Sequence, residues 1–161
     1  MTRTVLVRKA AATDMEAIGR LGAMLVAAHH AFDAKRFIPP GENTPQGYAS
    51  FLAGQLSNAN VTLLVAEVGG AVAGYSYAGI EGYDWMSLRG AAGILYDILV
   101  DPDYRKNGIG KRLLDATLDA LKKAGASQIV LSTAQQNEEA QRLFERAGFR
   151  RTMIEMTKDF D

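Results

Sequence analysis

Hydrophobic and polar positions along the chain follow two periods in turn, and each switch between them marks an element. "RTVLVRK" near the start is β-rich and predicts a first strand. Thr13 to Glu16 then matches a capping box, and Ile18, Leu21, Gly22 and Leu25 recur at i, i+3, i+4 and i+7, the stripe of an amphipathic helix. "FIPPGENTPQGYASFLAGQL" gives a proline and glycine loop and then a short second helix, with Thr44 as cap and Pro45 in its first turn. In "NVTLLVAEVGGAVAGYSYAGI" two β-rich runs flank Gly69-Gly70, whose access to positive φ suits a tight hairpin turn.

The run "ILYDILV" is apolar on both faces apart from Asp97, the pattern of a strand covered on both sides and therefore central. Leu114, Leu118 and Leu121 carry helical spacing between Gly108 and Ala124, and "SQIVLST" follows as a strand, so the crossover rule makes these two strands parallel. Asn137 caps a further helix that places Ala140, Leu143, Phe144 and Ala147 on one face and stops at Gly148. "FRRTMIEMTKDF" predicts a closing strand. The order β, α, α, β, β, β, α, β, α, β predicts an α/β fold of the mixed α+β kind. Its central sheet would have antiparallel N-terminal strands and a parallel β-α-β unit, flanked by about four helices.

Length adds one point: 161 residues without a dividing linker predict a single domain spanning 1–161. Lysine plus arginine equals aspartate plus glutamate at 18 each, so no overall field recruits nucleic acid or a membrane, and any anion site must come from local clustering. Cysteine is absent, which removes disulfides, thiolate metal sites and a cysteine nucleophile. No signal peptide or spanning run is visible, and a cytoplasmic location is expected.

The chemistry concentrates where "ILYDILVDPDYRKNGIGKRLL" passes from the central strand into a helix. Arg105 to Gly110 reads R-x-x-G-x-G, and glycines at a helix start allow close approach of an anion to free amides. A P-loop would need glycine at Arg105 and Ser or Thr at Arg112, and a dinucleotide fingerprint would need glycine at Leu113, so neither fits. The segment resembles instead the acetyl-CoA signature of the GNAT superfamily of N-acetyltransferases, with its lead-in met by Val100, Pro102, Tyr104 and Arg105. A second family motif is similar to "NEEAQRLFERAGF", at Asn137, Ala140, Leu143, Phe144, Gly148 and Phe149.

The resemblance implies a GNAT-like fold and transfer of acetyl from acetyl-CoA to a primary amine of a small molecule or peptide, by direct attack in a ternary complex. Backbone amides of Arg105, Lys106, Asn107, Gly108, Ile109 and Gly110 would hold the pyrophosphate, Arg105, Lys106 and Lys111 would neutralise its charge, and Ile98, Leu99 and Val100 would pair with the pantetheine arm. Asn137 would bind near the thiol end, and the amide of Leu99 or Val100 would polarise the thioester carbonyl. No metal is expected. An amine acceptor is the expected partner, with neither nucleic acid nor membrane, and a homodimer the expected assembly.

The amine must lose a proton, because an alkyl ammonium has a pKa of about 10.4. Asp97 is the base candidate, an ionisable group in an otherwise apolar strand, with a structural hydrogen bond as the competing reading. Phe144 stands where many members of the family have a tyrosine that protonates the leaving sulfur, with Tyr96 and Tyr104 as replacements or packing residues. That vacancy keeps a second function open, a non-catalytic acyl-CoA sensing module. Glu81, Tyr83, Asp84 and Trp85 mix carboxylates with aromatics, as an amine-recognition segment or as a surface loop. His29 and His30 point about 100° apart on a helix and read as helix-end surface residues.

Overall fold

The computed structural model describes residues 3–161. Five strands form one sheet in the order β1-β2-β3-β4-β5: β1 Val5–Lys9, β2 Val61–Val68, β3 Ala71–Glu81, β4 Ala92–Val100 and β5 Ile129–Leu131. Pairing is antiparallel throughout except between β4 and β5, which are parallel, as the crossover through α3 (Ile109–Lys123) requires. Helices α1 (Met15–Phe32) and α2 (Thr44–Ala53) pack on one face, while α3 and α4 (Glu138–Arg146) serve the other. The hairpin turn between β2 and β3 falls on Gly69 and Gly70, at φ of 59° and 82°.

Alternation along the central strands feeds both faces. Leu63, Val65, Tyr75 and Leu99 meet Ile18, Leu21 and Leu52 in one cluster. Leu64, Ala66 and Ala73 meet Ile109 and Leu113 in a second, and Ala78 and Leu95 meet Leu114, Leu121 and Phe144 in a third. Leu95 and Leu99 have the same parity, yet they face opposite layers. A β-bulge resolves this: the register slips between Tyr77 and Ala78, so Asp97 opposes Tyr77, Leu95 opposes Ala78, and Tyr96 is the extra residue. The slip carries Asp97 to the α1 face with Leu99.

Three expectations need correction. The closing strand does not form: the chain after α4 has no regular structure, and Met153, Ile154, Met156 and Phe160 stand exposed. Residues that read as a strand need an edge to pair with, and this segment pairs with none in its own sheet; its polar ties to the body are Arg151 with Glu145 at 2.6 Å and with Gln141 at 2.9 Å, and Glu155 with Arg36 at 2.5 Å. The first cap lies away from Thr13 and Glu16. Asp14 performs it, accepting from the Ala11 amide at 2.7 Å while paired with Arg8 at 2.8 Å. For α2, Thr44 is the first helical residue after Asn43, and its hydroxyl accepts from the Gly41 amide at 2.8 Å.

Candidate active site

The outer edge of β4 is open along half its length. Strand β5 pairs only with Gly93, Ile94 and Leu95, so from Tyr96 to Val100 no strand lies beside β4 on that side. The Asp101 amide turns inward to the Ala73 carbonyl at 2.8 Å. Strand alternation then turns the backbone of Leu99 inward as well and that of Ile98 and Val100 outward. Of the two amides expected to polarise a carbonyl, Val100 is the one that reaches the open edge, and Leu99 is committed to β3. The Val100 carbonyl accepts from Arg105 Nε at 3.1 Å, which folds the arginine against the same edge.

At the end of that edge the chain makes a 3-10 turn, Pro102–Tyr104, and enters α3 through Gly108 at φ 72°. A Cβ at Gly108 would meet nothing within 4 Å, so the left-handed backbone alone requires glycine there. Lys106 also sits in the left-handed region, at φ 67°. Among the described residues the amides of Lys106, Asn107, Gly108, Ile109, Gly110 and Lys111 donate no hydrogen bond within the chain. The Asn107 side chain holds this arc by donating to the carbonyls of Tyr104 and Arg105, at 3.1 and 3.3 Å. A concave run of free amides at a helix start fits a pyrophosphate. The basic cluster is less free than its sequence suggests, since Lys111 Nζ lies 2.6 Å from Asp115.

The Asn137 Oδ1 caps α4 by accepting from the Ala140 amide at 3.2 Å, which leaves its NH2 as the group available to a ligand. Phe144 is buried against Phe149, with ring centroids 5.9 Å apart. It is a packing residue and offers no proton. Tyr104 packs partly buried in the second cluster. Tyr96, the bulge residue, stands half-exposed beside Tyr77, its hydroxyl pushed up to about 12 mainly by burial and then by Glu81.

Asp97 sits below the open edge on the α1 side. Its Oδ2 accepts from the hydroxyls of Tyr48 and Tyr75, the latter at 3.1 Å. Burial pushes the carboxyl above its ordinary range, while the two tyrosines pull the other way. Burial and the Asp97 charge together raise both phenols, so they remain donors at neutral pH. Tyr48 reaches this position because α1 offers no side chain at Gly22, where a Cβ would run into the Tyr48 ring. Gly19 does the same for the Pro45 carbonyl, a turn earlier in the helix.

A cavity of about 220 Å3 opens beside the carboxylate, lined by Leu25, Val26, His29, Phe37, Ile38 and Asp97. His29 is therefore a wall of this cavity and not the surface residue its place in the sequence suggested. None of Glu81, Tyr83, Asp84 and Trp85 lines it. Asp84 instead closes a turn, accepting from the amides of Met86 and Ser87, and Tyr83 and Trp85 are exposed and stacked on each other.

Residues 26–149 match the model of the Acetyltransferase (GNAT) family, a span that holds the whole of this arrangement except the first turns of α1. The chain belongs to the GNAT acetyltransferase family. An uncharacterized N-acetyltransferase of Bacillus subtilis, YhfO, is 33% identical over 104 residues, covering 65% of this chain and 68% of that one. A mutant of the BH1408 protein of Bacillus halodurans superposes with a TM-score of 0.82 at 22% identity, covering 96% of this chain and 99% of that one. The aminoglycoside N-acetyltransferase AAC(6')-Iy, solved in complex with CoA, has a TM-score of 0.75 at 17% identity, covering 99% of this chain and 97% of that one. The structural likenesses show the GNAT fold, and the family and the relative make the chain an N-acetyltransferase. Acyl transfer from acetyl-CoA follows from the family. No helix among the described residues is long and apolar enough to cross a membrane.

Proposed function

We propose that the protein transfers the acetyl group of acetyl-CoA to a primary amine by direct attack in a ternary complex. The observation that carries this reading is the arc of unpaired amides from Lys106 to Lys111 at the end of an open strand edge. In this reading the arc holds the pyrophosphate, and the outward backbone of Ile98 and Val100 pairs with the amide-bearing pantetheine arm as an added strand would. The Val100 amide polarises the thioester carbonyl. Asp97, raised by burial, takes the proton of the amine, and the nitrogen forms its bond to the carbonyl carbon as the carbon–sulfur bond breaks. The thiolate leaves without help from Phe144; the Tyr96 ring lies over β3, against Gly79 and Tyr77.

Calorimetric titration with acetyl-CoA, run beside Gly108→Glu, tests the reading. Bulk and negative charge at the amide arc should abolish binding, and parent and variant binding alike would refute the placement. Acetyl-CoA binding without turnover over a broad amine panel would favour a sensing module.

We also propose that two copies exchange their C-terminal segments. Among the described residues the outer edge of β5 pairs with no strand, and the segment from Arg150 has strand-like sequence, exposed apolar side chains and no strand beside it. Each supplies what the other lacks. Sedimentation should show a dimer for the full chain and a monomer for a chain ending at Phe149; a monomer in both cases would reject the exchange.

A further inference from the structure

The cavity beside Asp97 carries a statement about the acceptor, one that rests on the acetyltransfer reading above. Both tyrosine hydroxyls go to Oδ2 of Asp97, so Oδ1 has no donor among the described residues. No fully buried polar side-chain atom in the described residues lacks a partner. Oδ1 is therefore reached from the cavity that Asp97 lines. The same holds for the second wall residue. His29 Nδ1 lies 2.8 Å from the Leu25 carbonyl, and a carbonyl only accepts, so Nδ1 carries the hydrogen. In the neutral imidazole Nε2 then holds the lone pair, and no partner among the described residues meets it.

With the neutral imidazole the cavity presents two hydrogen-bond acceptors, and among the described residues neither lysine nor arginine lines it. Its remaining walls, Leu25, Val26, Phe37 and Ile38, are apolar. A ligand that satisfies this surface donates at least two hydrogens from one end and is apolar at the other. At about 220 Å3 the space is below the roughly 300–1,000 Å3 of sites for drug-sized ligands. An amine flanked by its own carboxylate would meet Asp97 with no cation to balance it. A polycation would leave all but one charge against apolar walls. Arg36, next to the wall residue Phe37 in the chain, stacks on its ring at 4.8 Å and is held by Glu155.

We propose that the acceptor is a small primary amine on an apolar body, an alkyl or aryl-alkyl amine, with its N–H groups shared between Asp97 Oδ1 and His29 Nε2. The ammonium gives one proton to this pair before the neutral nitrogen attacks. The nitrogen–carbon bond forms as the carbon–sulfur bond breaks, and the second proton passes from the nitrogen to the departing thiolate, so the products are the amide and CoA thiol, with the first proton held by the pair and then released to solvent. His29 is then a catalytic residue alongside Asp97.

The test combines acetyl-CoA calorimetry with initial rates for 2-phenylethylamine, butylamine, phenylalanine, spermidine, kanamycin and an alanine-initiated peptide. The expected result is acetyl-CoA binding and a kcat/KM for 2-phenylethylamine at least about 30-fold above that for phenylalanine, spermidine, kanamycin and the peptide. Asp97→Asn and His29→Gln should each lose most of that rate and keep acetyl-CoA affinity. Acetyl-CoA binding with a polycation or peptide as the best acceptor, or with no amine turned over, overturns the acceptor assignment and leaves cofactor binding intact. Absence of acetyl-CoA binding overturns the acetyltransfer reading instead. Direct titration of 2-phenylethylamine then decides the cavity: binding by the parent that Asp97→Asn abolishes supports it, and no binding rejects it.

Discussion

Asp14 and Asp97 are both largely withdrawn from solvent, and they differ in what holds them. Asp14 lies at the start of α1, where Arg8 reaches it with both terminal nitrogens, at 2.8 and 3.0 Å, and also contacts Glu67. The hydrogen bonds from Arg8 hold its carboxyl below the ordinary carboxylate range. Asp97 has two neutral tyrosines and an open cavity, and burial drives its carboxyl upward. One region is fully answered and structural. The other is left with an unanswered acceptor atom at the bottom of an apolar cleft, which is how a group is poised to exchange protons with a ligand.

The sharpest way to break the comparison is Asp97→Asn, which keeps an acceptor for the tyrosines and removes the charge. We expect kcat/KM to fall by about 10²–10⁴-fold, as for loss of a general base. Thermal stability at neutral pH should hold or rise. The sign follows from the raised carboxyl: its contribution to stability is present below the ordinary carboxyl value and is lost as pH rises through the raised one. A variant that loses stability and keeps activity would make Asp97 another Asp14.

Asp14→Ala should do the reverse. It leaves Arg8 with the Glu67 carboxylate, strands the Ala11 amide and costs about 1.5–3 kcal/mol in denaturant unfolding, with activity per folded molecule unchanged. Because its carboxyl is depressed, the parent's advantage over this variant should be present above the ordinary carboxyl value and vanish as pH falls through the depressed one. An undiminished advantage in acid would count against the pairing.

Gly22→Ala joins the two regions through α1. The new methyl collides with the Tyr48 ring, so we expect a loss of about 1–3 kcal/mol together with a drop in kcat that Asp14→Ala lacks. The smallest effect should come from Tyr75→Phe, which removes one donor to Asp97 and preserves the fully buried ring. The carboxyl should rise further, moving the acid limb of the pH profile to higher pH with only a few-fold change in maximal rate. An unmoved limb would separate Asp97 from proton transfer.

Much of this was legible beforehand because it depends on local spacing. The hairpin glycines, the amphipathic stripe of α1, the parallel crossover and the glycine pair that opens α3 are set by residues a few positions apart. Asp97 stood out because a carboxylate in an apolar run is costly wherever the run is buried. His29 was not legible: its spacing fits a helix end equally well with or without a cavity, and only the fold-back of Phe37 and Ile38 makes that wall. The segment after Phe149 failed for a related reason, since strand-like composition describes a face to be buried and says nothing about whether the chain lays the segment alongside an edge.

The sequence by itself determined the elements from β1 to α4, their order and the amide arc, since hydrogen-bonding periodicity and left-handed glycine are properties of short stretches. Tertiary structure decided which face Asp97 occupies, because the bulge at Tyr96 arises only when β3 and β4 settle into register. It also decided that two glycines on α1 admit Tyr48 to that carboxylate. Both are contacts between segments far apart in the chain, where the outcome depends on how surfaces fit and not on the residues of either segment alone.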